Sequence, residues 1–419
     1  MAETVWHSYA DFTEFLARLG GEVTEMRYDL AVAEQVIPLL FPERFAPAVV
    51  IAGTNGKGSV AWWLAQVFQA AGYRTALYTS PHLLHLTERI RLDGTPADPA
   101  AVYRHACVVR EVVHRLGGAL PRRPTYFEWL TFVAASLFRE ARADVHVLEV
   151  GLGGRFDAVN VAAPMLSVIT SVGLDHCQFL GDSITAIARE KMGVLRRSAP
   201  AVLGPQDGWA DEVMDDLVAG CGALVPARPV YEAEFAGECD WRLGLDGAYQ
   251  RYNAATVVTC CRVLRAFGWR LDEAAIRRGL ACGGWPGRME RLVEAPSVVV
   301  DGAHNVAAVR ELVREIDRFD PRPVVVFGAM RDKDLHGMLA LLRPAAAALV
   351  LTRPPTPRAA GADDYAAWLD DPGVRFREEP GKALREAQEL AGPDGHVVVA
   401  GSLYLVAEIK QRVAEEGAR

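Results

Sequence analysis

The sequence predicts an α/β protein of two domains. A P-loop-type N-terminal domain on a parallel sheet spans residues 1–285, and a smaller Rossmann-like α/β domain spans 286–419. Three observations lead there. Short β-branched runs alternate with helical periodicity, the pattern of parallel strands covered by helices. One run ends in the glycine-rich loop Gly53-Thr-Asn-Gly-Lys-Gly-Ser59. The turn-rich stretch Cys282-Gly-Gly-Trp-Pro-Gly-Arg288 then interrupts the alternation before it restarts.

Taken in order, Tyr9–Leu19 and Leu30–Leu40 read as amphipathic helices. Ala48–Ala52 has the buried-strand composition, and beyond the loop Val60, Trp63, Leu64, Val67, Phe68 and Ala71 recur at helical spacing until Gly72. Ala143–Val150 and Met165–Thr170 read as further buried strands. From there to residue 285 helices dominate, notably Asn253–Phe267. Ser297–Val300, Val324–Phe327, Ala348–Thr352 and His396–Ala400 supply the strands of the second domain.

Composition narrows the class. The chain has 419 residues, 51% of them hydrophobic and 23% charged, which is globular and not disordered. Lys+Arg 45 against Asp+Glu 53 gives a net charge of −8. That argues against a dedicated nucleic-acid binder while leaving room for a local basic pocket. Seven cysteines without framework spacing read as reduced thiols. No apolar run approaches the ~18 residues of a membrane span, and Met1–Phe12 lacks a signal-peptide pattern. The expectation is a soluble cytoplasmic protein with neither membrane nor nucleic acid as partner.

The chemistry-bearing segments sit at strand ends. Glycines let the backbone N–H groups of 53–59 turn inward, the following helix adds its positive end, and Lys57 supplies a point charge for phosphate. The spacing departs from the standard P-loop, with Ile51 where the first Gly should stand and the hydroxyl one residue late at Ser59. Glu149, opening Glu149-Val-Gly-Leu-Gly-Gly-Arg-Phe-Asp157, is placed for a hard cation such as Mg²⁺. An ordinary strand-to-loop turn is the equal alternative. A zinc site from His146 and Glu149 is excluded, because in a strand they point to opposite faces. Ser171-Val-Gly-Leu-Asp-His176 and Ala188-Arg-Glu-Lys191 follow, where His176 reads as a ligand or a structural imidazole and Lys191 as a solvated helix residue. Asp301-Gly-Ala-His-Asn305 and Met330-Arg-Asp-Lys-Asp334 suit ribose or phosphate contacts.

Together with Tyr78–Leu83 (YTSPHL), Glu88–Arg91 (ERIR), Thr125–Glu128 (TYFE), Glu149–Asn160, Gly173–His176, Ala188–Gly193, Pro286–Arg288 and the C-terminal GSLYLVAEI, these segments resemble the folylpolyglutamate synthase/dihydrofolate synthase family of ATP-dependent Mur ligases. The matches run from about residue 50 to the C-terminal segment. The resemblance implies that 1–285 is an ATP-binding domain with folate-binding loops and 286–419 a glutamate-ligase domain. It implies phosphorylation of an acceptor carboxylate by ATP, then attack by L-glutamate. The acceptor is dihydropteroate or the γ-carboxylate of a reduced folate.

By the same resemblance Thr54, Asn55, Gly56, Lys57, Gly58 and Ser59 cradle ATP, with Asn253, Arg288, Asp301 and His304 as further ATP-site positions, so that ATP lies between the domains. Lys333 is a further candidate for ATP or the acyl phosphate. Ser80, Glu149, His176 and Lys191 hold Mg²⁺ at two sites, Lys191 as a carbamate, and a monovalent cation is an additional candidate. Lys57, Glu149, His176 and Lys191 form the catalytic set. Thr125, Tyr126, Phe127, Glu128, Phe156, Asp157 and Ala158 match the pterin segments, and the site needs no partner chain, so a monomer is expected. Lys57, Arg89, Arg155 and Arg288 mark positive charge for phosphates and carboxylates.

Two segments depart from the family. Its Gly-Leu-Glu-Arg-like stretch reads Glu25-Met-Arg-Tyr-Asp-Leu30 here, and its Asp-Ala-Thr-Asn reads Asp157-Ala-Val-Asn160. Both bear on the acceptor. The bifunctional reading leads, favoured by TYFE and Asp157. A folylpolyglutamate-only enzyme or a related ligase with another acid acceptor comes second. A nucleotide-binding switch would have no need of Glu149, His176 and Lys191.

Overall fold

The computed structural model describes residues 6–20, 28–41, 46–206, 209, 211–237 and 239–417. Of the divergent stretch 25–30, Glu25, Met26 and Arg27 lie outside the described residues. The chain separates into two compact units. One reaches to Leu243 and takes in Arg251–Cys282; the other comprises Gly244–Gln250 and Gly283–Arg419.

The first unit is built on an eight-stranded sheet. Its strands are β1 (Ala48–Ala52), β2 (Thr75–Tyr78), β3 (Ile90–Leu92), β4 (Thr95–Pro96), β5 (Val145–Glu149), β6 (Pro164–Ile169), β7 (Pro200–Leu203) and β8 (Ala223–Pro226). The order is β4-β3-β2-β5-β1-β6-β7-β8, parallel from β2 to β8, with β3 and β4 antiparallel at one edge. Strands β1 and β5 are buried at every position, so they read as continuous apolar runs instead of alternating ones. Register brings Ile51 opposite Glu149 on one side and Val168 on the other, which lines up the carboxyl ends of β5, β1 and β6.

The helix Lys57–Ala70 leaves that end and is buried continuously from Ser59 to Phe68. Helix Glu273–Leu280 packs directly on it. A Cβ at Gly279 would lie 2.4 Å from Val67 Cγ2 and 2.6 Å from the Val67 backbone, so only glycine lets the two helices meet this closely. Trp63 Nε1 adds a hydrogen bond to the Cys282 carbonyl at 3.1 Å. The stretch after Arg251 is thereby fastened to the helix that carries the phosphate loop.

The amphipathic segments near the start form helices Tyr9–Arg18 and Ala31–Leu40, the first capped by Ser8 Oγ accepting from the Asp11 N–H. The region after β6 differs from the helical expectation, since β7 and β8 extend the sheet. Each is four residues long with a proline at one end, and β8 is only half-buried, so neither carries a long apolar run. All seven cysteines are free thiols. Among the described residues, no helix is long and apolar enough to cross a membrane.

The second unit carries a six-stranded sheet ordered β13-β12-β11-β14-β10-β9. These are β9 (Glu290–Glu294), β10 (Ser297–Val300), β11 (Val324–Phe327), β12 (Ala348–Thr352), β13 (Val374–Arg377) and β14 (His396–Ala400), with β9 antiparallel and the rest parallel. Four of these match the expected runs. Strand β13 was hidden because its edge position alternates buried and exposed residues and places Arg375 and Arg377 on its open side. Residues Gly244–Gln250, placed in the first domain by a single cut at 285/286, pack in this unit instead. The Ala248 N–H donates to Glu315 Oε1 at 2.6 Å and the Tyr249 hydroxyl to Asp301 Oδ2 at 2.8 Å.

Gly279→Ala should cost about 1–3 kcal/mol through overpacking against Val67. Urea denaturation would register this as a lower midpoint at unchanged slope, whereas an unchanged midpoint would mean that the helix pair relaxes freely.

Candidate active site

The phosphate loop is folded by two glycines that no other residue can replace. Gly53 has φ +151°, and a Cβ there would fall 1.8 Å from Thr170 Oγ1. Gly56, in the left-handed region at φ +87°, would place a Cβ 2.3 Å from Asn253 Oδ1. Asn253 therefore sits directly on the loop. The Thr54 N–H donates to the Ser171 carbonyl at 2.7 Å, and the Gly173 N–H donates to Thr54 Oγ1 at 3.1 Å. Lys57 Nζ caps the turn on the Thr54 carbonyl at 3.2 Å, and Ser59 is buried at the helix start.

Beneath the loop lies Lys191. The sequence pattern alone left it a solvated residue, but the structure buries it to 4% exposure, its Nζ donating to the Gly53 carbonyl at 2.8 Å. Burial pushes its ammonium down to about 7; the Lys57 charge acts in the same direction and Asp175 against it. Near neutral pH a substantial fraction of the nitrogen is thus a free amine. Asp175, which sequence reasoning passed over, is buried and accepts the His176 N–H at 2.8 Å. His176 has φ +51°, a left-handed conformation costing roughly 1–2 kcal/mol in a non-glycine residue, the kind of strain that collects at functional sites.

The helix Ile184–Lys191 is held by the loop that follows β5. A Cβ at Gly154 would lie 2.7 Å from the Lys191 carbonyl, and one at Gly193 2.3 Å from Arg155 Cα. The Arg155 N–H donates to the Glu190 carbonyl at 3.0 Å. Asn160 closes the lock, donating from Nδ2 to the carbonyls of Arg155 (2.9 Å) and Gly193 (3.0 Å) and accepting from Arg196 at 2.8 Å. The two glycine-bearing motifs are one structural unit whose product is the position of Lys191.

At the neighbouring strand end the Ser80 N–H donates to Glu149 Oε2 at 3.2 Å, and Glu149 is buried. Serine and carboxylate oxygens are hard donors of the kind Mg²⁺ takes. Among the described residues no three His, Cys, Asp or Glu side chains are grouped to hold a metal. Of the four implied ligands, only Glu149 and His176 belong to those residue types. His146 faces away from Glu149, between the rings of Phe41 and Phe138, and burial pushes its imidazole down to about 4.

At the start of the helix Tyr126–Ala141, Thr125 and Glu128 form a capping box. The Glu128 N–H donates to Thr125 Oγ1 (3.2 Å) and the Thr125 N–H to Glu128 Oε2 (2.8 Å). Asp157 accepts from the N–H groups of Gly151 (2.9 Å), Leu152 (3.2 Å) and Val159 (3.0 Å), which folds the loop. These carboxylates build the backbone around them. Tyr126 lies 5.5 Å beneath the Arg89 guanidinium, whose Nε reaches His82 Nδ1 at 2.7 Å. Phe127 packs on Tyr78, Phe156 faces Tyr28 edge-on at 6.1 Å, and Ala158 is buried.

In the second unit the residues after β10 gather as one cluster. Asp301 Oδ2 accepts from the Tyr249 hydroxyl and the Met289 N–H (3.0 Å), and its Oδ1 accepts from the Ala303 N–H (2.9 Å). His304 Nδ1 lies 2.8 Å from the Gly302 carbonyl, and Arg288 Nη1 donates to the Gly287 carbonyl at 2.9 Å. Asp334 caps the helix Leu335–Ala345 by accepting the Gly337 N–H at 2.8 Å, beside Lys333.

Residues 51–219 match the Mur ligase middle domain and residues 287–403 the Mur ligase glutamate ligase domain. The folylpolyglutamate synthase of Lacticaseibacillus casei is 34% identical over 391 residues, covering 88% of this chain and 90% of its own length. The dihydrofolate synthase/folylpolyglutamate synthase of Bacillus subtilis is 32% identical, over 89% of this chain and 91% of its own. Among solved structures, E. coli FolC in complex with DHPP and ADP superposes with a TM-score of 0.86 at 28% identity over 100% of both chains. The Yersinia pestis bifunctional enzyme complexed with AMPPNP and Mn ion gives 0.83 at 30% identity, over 99% of this chain and 100% of its own.

His146 should make the fold acid-labile. Its folded value lies below the unfolded one, so the unfolded chain binds more protons between pH 6.5 and about 4, and stability falls as pH drops through that window, by on the order of 3 kcal/mol. Thermal melts of His146→Leu should flatten across this range relative to the unmodified protein; parallel curves would show that other groups govern acid unfolding.

Proposed function

The chain belongs to the folylpolyglutamate synthase/dihydrofolate synthase family of ATP-dependent Mur ligases, and on that premise we propose that it adds L-glutamate to dihydropteroate and to the γ-carboxylate of folates, releasing ADP. The observation that supports this over a plain nucleotide switch is the buried Lys191 amine beneath the phosphate loop.

In this reading an acceptor carboxylate oxygen attacks the γ-phosphorus of ATP and the bond to the β,γ-bridging oxygen breaks, leaving ADP and an acyl phosphate. The glutamate amino nitrogen then attacks the acyl carbon, phosphate departs with the C–O electrons, and the nitrogen loses its proton to give the amide. Anions crowd together at both stages, so the stabilising groups must be fixed beforehand. The backbone N–H groups of Thr54–Ser59 and the Lys57 ammonium hold the phosphates, with Asn253 supporting the loop at Gly56. Mg²⁺, held by Ser80, Glu149 and His176, would neutralise phosphate oxygens. The Lys191 nitrogen, in the fraction unprotonated near pH 7, attacks carbon dioxide; an N–C bond forms as a C–O π bond opens, a proton leaves, and a carbamate with two anionic oxygens results. Arg288 and His304 are the proposed ATP contacts of the second unit, and Asp301 shapes the turn that presents them. Tyr126, Phe127 and Phe156 provide the aromatic surface for the pterin, with Thr125, Glu128, Asp157 and Ala158 building its frame.

A folylpolyglutamate-only enzyme is the second reading. It gains support from Asp157, whose carboxylate is committed to three backbone N–H groups. We further propose that the protein acts as a monomer in the cytoplasm on small-molecule substrates, without nucleic acid or membrane.

Purified protein should release ADP only when ATP, Mg²⁺, L-glutamate and an acceptor are all present. Turnover with both dihydropteroate and a reduced folate monoglutamate supports the bifunctional reading, turnover with the folate alone supports the second, and equal ADP release without glutamate or acceptor identifies a simple ATPase. Lys191→Ala should lower kcat by about 10²–10³-fold, the scale of losing one preorganised electrostatic group, with no recovery in bicarbonate. Unchanged turnover would remove Lys191 from the mechanism.

A further inference from the structure

Arg122 joins two segments that are remote in sequence. Its Nη1 and Nη2 donate to Glu128 Oε2 and Oε1 at 2.7 and 2.9 Å, a bidentate pair, while Nε and Nη2 reach Asp29 Oδ2 and Oδ1 at 3.3 and 3.1 Å. The side chains of Arg122 and Glu128 are 18% and 8% exposed, so the ion pair is shielded from the screening that makes surface pairs weak. The helix at Tyr126 does not require Arg122 to begin, because Thr125 and Glu128 already cap it. The additional contact is with Asp29, whose Oδ1 also accepts the N–H of Ala31, the first residue of the helix Ala31–Leu40.

Immediately before Asp29 stands Tyr28. Its hydroxyl donates to the Phe179 carbonyl at 3.2 Å, in the turn that follows His176, and its ring meets Phe156 edge-on at 84°. The ring is nevertheless 56% exposed. A large aromatic residue anchored at its hydroxyl and at the next residue, yet more than half exposed, offers a fixed surface for a flat ligand to lie against.

We propose that Arg122 is a positioning residue for the acceptor: by clamping Asp29 to Glu128 it holds Tyr28 beside Phe156 as one wall for the acceptor's planar fused heterocycle. This rests on the glutamate-ligase reading above and adds to it a residue that contacts neither ATP nor the reacting carboxylate. The wall acts on binding of the heterocycle, so its loss raises the acceptor KM without slowing the chemical step.

The test measures initial rates at saturating ATP, Mg²⁺ and L-glutamate while dihydropteroate or a reduced folate monoglutamate is varied. For Arg122→Met the acceptor KM should rise about 10-fold, with kcat and the KM for ATP within about twofold, because a misplaced binding group costs affinity for the ligand it faces. Arg122→Lys should recover part of the loss, Tyr28→Ala should match Arg122→Met, and Tyr28→Phe, which keeps the ring but loses its hydroxyl anchor, should raise the acceptor KM by a smaller factor. Asp29→Asn leaves the Arg122–Glu128 pair intact and should raise the acceptor KM by a smaller factor; it carries the test if Arg122→Met does not fold. An acceptor KM unchanged in Asp29→Asn and Tyr28→Ala, or a fall in kcat with all KM values moving together, overturns the inference. If the unmodified protein shows no acceptor-dependent ADP release, the ligase reading itself fails first, which separates the two failures.

Discussion

The bond from Lys191 Nζ to the Gly53 carbonyl is the contact around which the first unit is arranged. A buried polar group without a partner costs several kcal/mol, and a buried charge costs more, so this nitrogen can stay inside only with an acceptor at hand and its proton readily lost. Gly53 supplies the acceptor because its backbone adopts a conformation closed to side chains and lies against Thr170. The opposite end of the contact is set by Gly154, Gly193 and Asn160, which press the post-β5 loop onto the end of the lysine helix. Phosphate loop, lysine helix and glycine-rich turn are therefore mutually dependent, and a shift in any one displaces the amine.

Acidic side chains show how a local pattern can suggest more than one role. Glu128, Asp157 and Asp301 all stand where a ligand contact is chemically sensible, and all three accept backbone N–H bonds from their own loops. A carboxylate with several such donors fixes a turn more firmly than a neutral acceptor does. Residue type and strand-end position announce that a carboxylate matters. They do not distinguish a residue that touches substrate from one that shapes the surface the substrate meets.

Most of the architecture was legible because parallel strands buried on both faces leave continuous apolar runs, as in Ala48–Ala52 and Val324–Phe327. Strands β2, β3, β4, β7, β8, β9 and β13 were not: all are short, and all but β2 lie at or beside a sheet edge, where prolines or charged side chains leave no such run. The loop 53–59 and Glu149 are legible as candidates from their places at strand ends. Lys191 is the opposite case: its helix looks ordinary in isolation, and only the resemblance to a family singled it out. The contacts of Arg122 with Asp29 and of Tyr249 with Asp301 carry no local signal, because those partners lie far away in the chain.

The allocation of Gly244–Gln250 has a topological result. The polypeptide passes between the two units at 243/244, at 250/251 and again at 282/283, so neither unit is a continuous stretch of sequence. Proteolysis between Cys282 and Gly283 would not release two independent halves. The N-terminal fragment would still carry an embedded peptide hook, with Ala248 on Glu315 and Tyr249 on Asp301, docked into the body of the C-terminal fragment. Dividing this protein for separate expression means cutting around the hook, and a nicked chain can remain a complex.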